Sequence, residues 1–117
     1  MIPIFDRSGS PVGWLDDDRI LDDHARHRAL VYNGAVFSYA ATYLGTFSHG
    51  LFRNKHGATV AFIPGASGVL LPRTKVPPIP PLPHFPPVKP VPPLPPIPPP
   101  PSLSWSGMSW EQFLQGT

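Results

Sequence analysis

From Ile4 the chain divides without a gap into four blocks of sixteen residues: IFDRSGSPVGWLDDDR, ILDDHARHRALVYNGA, VFSYAATYLGTFSHGL and FRNKHGATVAFIPGAS. A fixed period constrains the fold more than any other feature, because it makes every block the same structural unit and each column a record of what its position requires. The first column is Ile4, Ile20, Val36 and Phe52, large and apolar throughout. The third is Asp6, Asp22, Ser38 and Asn54, short polar side chains that bond nearby backbone and begin turns. The sixth (Gly9, Ala25, Ala41, Gly57) and the tenth (Gly13, Ala29, Gly45, Ala61) are confined to glycine and alanine, whereas the twelfth (Leu15, Val31, Phe47, Ile63) is always large. Columns two apart share one face of a strand, so each block reads as a short strand, a turn and a second strand.

One hairpin of this size cannot bury its apolar face alone, but four around an axis can. The expected fold is therefore all-β: four hairpin repeats over residues 3–68 around a pseudo-fourfold axis, forming a shallow eight-stranded barrel or flower. The glycine and alanine column would allow close backbone approach near the axis. An open row of four units is the alternative, and it would leave unprotected edges. Beyond the repeats lie a proline-rich segment, 69–101, and an aromatic end, 102–117, expected to finish in a short helix.

The repeat resembles that of the small bacterial four-fold beta flower domains, whose units look like hhD-x-x-G-x-x-V-G-h-h. The residues that carry the resemblance are Ile4-Phe5-Asp6 with Gly9 and Val12-Gly13-Trp14-Leu15, Ile20-Leu21-Asp22 with Ala29, Val36-Phe37 with Leu44-Gly45, and Asn54 with Gly57 and Val60-Ala61-Phe62. It covers residues 3–68 and is expected to leave the proline-rich tail outside. It implies a fold and no established activity.

Departures from the columns are informative because symmetry says what each position should hold. Arg28 interrupts the ninth column (Val12, Leu44, Val60), Arg53 the second (Phe5, Leu21, Phe37) and Thr46 the eleventh (Trp14, Leu30, Phe62). Either these columns face solvent, or the breaks build a polar spot, with Arg28, Arg53 and Lys55 as candidate anion-binding residues.

Charge and motifs exclude several classes. Residues 1–68 carry six Lys/Arg against six Asp, so the repeat region is formally neutral and shows no basic stripe for nucleic acid. There is no cysteine, and His24 and His27 beside Asp22 and Asp23 lack the spacing of a zinc or iron site. The Asp16-Asp17-Asp18 run lacks the distal ligand of a calcium loop. No nucleophile elbow, phosphate-cradling glycine loop or ordered catalytic set is present, so neither enzyme activity nor a metal or other cofactor is expected. The amino-terminal residues do not read as a signal peptide, and a cytoplasmic location is the expectation.

Sixteen of the twenty prolines fall between Pro77 and Pro101, which excludes regular helix or central strand there. Through the same stretch every third residue is bulky and apolar: Val76, Ile79, Leu82, Phe85, Val88, Val91, Leu94, Ile97. Polyproline II has three residues per turn, so these side chains share one edge of a rod. A solvated spacer has no use for such an edge, while a strap laid along a surface does. After the rod, Ser109 and Gln112 fit a capping box, Met108 and Phe113 a hydrophobic staple, and Trp110, Phe113 and Leu114 one helical face. So short a helix needs a surface on which to dock.

The sequence is thus expected to be a non-catalytic interaction protein that docks on a larger bacterial complex. Its partner-binding residues would be the eight of the apolar edge together with Trp105, Met108, Trp110, Phe113 and Leu114. Two alternatives are binding of an anion or lipid headgroup by the β domain, with the tail as spacer, and self-association through the tail. A membrane surface is a lesser expectation than a protein partner.

Overall fold

A computed structural model describes residues 1–80, 82 and 85–116. Eight strands follow one another: β1 (Ile2–Phe5), β2 (Pro11–Asp16), β3 (Arg19–Asp22), β4 (His27–Tyr32), β5 (Ala35–Ser38), β6 (Tyr43–Ser48), β7 (Leu51–Arg53) and β8 (Thr59–Phe62). Each pairs antiparallel with the next, and β1 pairs with β8 through Phe5 and Phe62, so the sheet is a closed barrel with no free edge.

The columns explain the barrel repeat by repeat. In every third-column residue one side-chain oxygen accepts from the backbone N–H two and four residues on: Asp6 from Ser8 and Ser10, Asp22 from His24 and Arg26, Ser38 from Ala40 and Thr42, Asn54 from His56 and Ala58. The chain then reverses through the sixth column in the left-handed region, with φ of 77° at Gly9, 62° at Ala25, 64° at Ala41 and 85° at Gly57. That conformation costs any residue with a Cβ about 1–2 kcal/mol and glycine nothing, so Gly9 and Gly57 suit the position while Ala25 and Ala41 bear the cost. Each hairpin also carries a register shift between its first and second columns, at Ile4/Phe5, Ile20/Leu21, Val36/Phe37 and Phe52/Arg53.

Alternation sorts the remaining columns into two faces, except at the bulged ninth column, where the register skips a residue and the side chain joins its tenth-column neighbour on the core side. Ile4, Leu15, Ile20, Ala29, Val36, Leu44, Phe52, Val60 and Ala61 point inward and form the core. At Gly45 a Cβ would run into the Arg53 carbonyl of the neighbouring strand and stand 3.0 Å from the Phe113 ring, so the tenth column there admits glycine alone. The second and eleventh columns point outward and meet as cross-strand pairs Trp14/Leu21, Leu30/Phe37, Thr46/Arg53 and Phe5/Phe62.

The tail is not a free extension. The helix α1 (Trp110–Gln115) places Trp110, Phe113 and Leu114 inside the barrel core, with Met108 packed against it. The capping box is present, the Ser109 side chain accepting from the Gln112 N–H and the Gln112 side chain accepting from the Ser109 N–H. No helix among the described residues is long and apolar enough to cross a membrane.

Candidate functional site

Between the barrel and α1 the proline-rich segment, without helix or strand among its described residues, travels around the outside of the barrel. Its fixed points can be read in order. The Lys75 N–H donates to the Gly9 carbonyl at 2.9 Å, in the first repeat. Lys89 Nζ donates to Asp18 between the first and second repeats, and Pro90 and Pro92 lie with Leu30, Tyr32 and Phe37 around a small cleft. The Ser102 N–H donates to the Gly57 carbonyl at 3.1 Å in the fourth repeat, and the Ser106 N–H to Thr59 at 2.8 Å. Trp105 then rests edge-on against Phe62, centroids 6.0 Å apart, and its Nε1 donates to the Leu70 carbonyl at 3.0 Å. The contacts advance with strand order and return to their start, so the segment is a belt that encircles the barrel once.

Chain length agrees with that course. The 35 steps from Leu70 to Trp105, at the rise of about 3.1 Å per residue of an extended proline-rich chain, can span about 110 Å. The molecule measures 36 × 35 × 22 Å, and a circle 35 Å across has a perimeter of about 110 Å.

The symmetry-breaking residues hold this arrangement. Arg28 stands in the ninth column, whose other members Val12, Leu44 and Val60 belong to the core or pack on it. Its guanidinium makes a two-pronged pair with Glu111 of α1, 2.9 Å from Nη1 to Oε1 with Nη2 on Oε2, and Nη1 also lies 3.4 Å from Asp22. The hydrogen bond from Arg28 holds the Glu111 carboxyl below its ordinary value against the effect of burial, and Glu111 in turn raises Arg28. Burial works to raise Asp22, but the amides of Arg26 and His24 and the Arg26 side chain outweigh it and leave Asp22 lowered. Arg53, 7% exposed, donates from Nη1 to the Gly57 carbonyl at 2.9 Å and to the Ser102 carbonyl of the belt at 2.6 Å. One arginine therefore fastens the plug and the other the belt, and neither column faces open solvent.

The residues expected to meet a partner thus separate into two groups. Trp105, Met108, Trp110, Phe113 and Leu114 are engaged within their own chain: Trp110 is stacked on Phe113 at 5.3 Å and edge-on to Phe52 at 5.2 Å. The surface that the short helix required is the inside of its own barrel. The apolar edge is the opposite case. Val76, Ile79, Leu82, Phe85, Val88, Val91, Leu94 and Ile97 are each at least 89% exposed, while Pro77, Pro90 and Pro92 are half-buried against the body. The belt turns this edge outward.

Of the candidate anion-binding set, Arg28 is occupied by Glu111, Lys55 is exposed on the β7–β8 turn, and Arg53 lines a cavity beneath the belt. The sequence held no signal for the seats at Gly9 and Gly57, whose partners are carbonyls and amides of the tail. Asp22, Asp23 and His24 bring one potential ligand atom each within 4.8 Å, but Asp22 is already committed to Arg26, Arg28 and the turn amides.

The 4-fold beta flower protein family matches residues 2–114, so the chain belongs to that family. The match corrects the expectation that the tail lies outside it: belt and plug fall within the matched span, as their packing on the barrel requires. No curated protein and no solved structure matches the chain.

Proposed function

We propose that this 4-fold beta flower protein is a non-catalytic binding module that presents the outer edge of its belt to a protein partner, as an accessory subunit of a larger assembly. The observation that carries this reading is the exposure of all eight period-three side chains on a segment whose course the barrel fixes. Monomeric proteins rarely leave so much contiguous apolar surface without a use for it. Each such side chain contributes about 1.5–3 kcal/mol gross when covered. The ordering cost of the belt is already met by its attachment to the barrel, which favours association.

The edge suits a groove lined by aromatic side chains, the mode by which extended proline-rich chains are recognised. Curvature limits the contact. A belt bent around a body 35 Å across meets a straight groove along only part of its apolar edge, which leaves other arcs free for further copies of the partner.

The test is replacement of all eight edge residues by threonine in the full chain. Truncation after Arg73 is unsuitable, because it removes Trp110, Phe113 and Leu114 from the barrel core. A partner captured from the native host by the full chain and lost by the folded threonine variant, with direct binding reproduced from purified components, supports the reading. Capture unchanged by the eight substitutions contradicts it. A mass that rises with concentration for the original chain alone would redirect the edge to self-association.

A further inference from the structure

We propose that the cavity enclosed between the belt and strands β6 and β7 binds the oxyanion group, carboxylate or phosphate, of a small molecule with an apolar body. The barrel supplies its own comparison. Of the four equivalent outward pairs, Trp14/Leu21, Leu30/Phe37 and Phe5/Phe62 are apolar, and only Thr46/Arg53 is polar. Over this pair the space beneath the belt amounts to about 520 Å³, against about 250 Å³ over Leu30 and Phe37. A volume of that size is within the range of small-molecule sites.

Arg53 is 7% exposed, and its two hydrogen-bond partners, the carbonyls of Gly57 and Ser102, are neutral. No carboxylate lies within ion-pair distance of it among the described residues. Carbonyl groups orient a guanidinium without neutralising it, and a buried charge without a counter-charge is costly. That cost is visible in the direction of its titration, since burial lowers the Arg53 pKa. An entering oxyanion would supply the missing charge to a planar fork of donors suited to it. Tyr43, Thr46, Ser48 and Asn33 also line the cavity and offer neutral donors, while prolines of the run 98–101 form an apolar wall. The lining therefore fits one anionic group joined to a hydrocarbon or aromatic body. This site is independent of the outer edge of the belt and shares none of its residues.

The experiment is an amide-resolved NMR titration of the full chain with phenyl phosphate and with benzoate, repeated on Arg53→Gln, whose amide can still donate to the two carbonyls. Saturable shifts at Thr46, Arg53 and Ser102 with at least one probe, weakened tenfold or more in a variant that keeps the dispersed spectrum, are expected. If Arg53→Gln does not fold, Thr46→Leu fills the cavity from the opposite strand and leaves the Arg53 contacts in place. It is then expected to weaken the same binding tenfold or more. A parallel arm with vesicles containing phosphatidylserine assigns the oxyanion to a lipid headgroup if they bind in an Arg53-dependent manner, and to a free small molecule if only the soluble probes do. The proposal is overturned if neither probe gives saturable shifts there, or if both folded variants bind as the original chain does.

Discussion

Trp105 donates its indole N–H to the carbonyl of Leu70 at 3.0 Å, closing a loop around the barrel whose two ends are 35 positions apart. Through this bond the end of the belt lies beside its beginning, and the chain passes directly from there into the plug. Belt and plug thus depend on one another, and loss of either is expected to weaken both.

The plug should be the larger contributor. Phe113 is 1% exposed within the barrel core, and Phe113→Ala is expected to cost about 3–5 kcal/mol, read as a shift of the urea midpoint. Phe85→Ala, on a side chain 98% exposed, is expected to change stability by less than about 0.5 kcal/mol.

The Arg28–Glu111 pair should be measurable by a double-mutant cycle with Arg28→Met and Glu111→Gln. Its geometry is two-pronged, but the Glu111 side chain is 53% exposed, so a coupling of about 0.5–1 kcal/mol that weakens with added salt is expected. Equal free-energy changes along opposite edges of the cycle would show that the pair contributes nothing.

Acid should loosen the same junction. Glu111 and Asp22 both titrate lower in the folded chain than in the unfolded one. Their contribution is therefore complete above the unfolded carboxylate range, near pH 4, and is lost as pH falls through the lower folded values. Glu111→Gln is expected to flatten part of the stability loss as pH falls below the unfolded carboxylate range, as followed by thermal melts.

The sixth column allows a stabilising change. Ala41 holds φ at 64°, a region that costs an L-residue about 1–2 kcal/mol, while glycine adds about 0.4–1 kcal/mol of unfolded-state entropy. Ala41→Gly is expected to raise stability by about 0.5 kcal/mol, whereas Gly45→Ala, which drives a Cβ into the Arg53 carbonyl, is expected to lower it by more than about 2 kcal/mol.

The repeats were legible because each column answers to local chemistry: Asp6, Asp22, Ser38 and Asn54 bond their own turns, and Gly9 and Gly57 meet a backbone requirement. The capping box of Ser109 and Gln112 was legible for the same reason. The path of the tail was not. A three-residue period identifies one edge of a rod, but which edge meets the barrel depends on neutral contacts such as Lys75 to Gly9 and Ser102 to Gly57, made by backbone atoms common to all residues. Arg28 and Arg53 were visible as breaks in apolar columns, yet their meaning depends on Glu111 and Ser102, respectively 83 and 49 residues distant.

Hydrogen exchange at three tail amides decides whether the tail girdles and plugs its own barrel. Lys75, Ser102 and Ser106 donate to Gly9, Gly57 and Thr59 in a segment where proline leaves few N–H groups. Exchange slowed at all three by about a hundredfold or more relative to an unstructured chain is the expected result. Exchange at the unstructured rate, with the barrel amides still protected, would show instead a tail that leaves its barrel, neither belt nor plug.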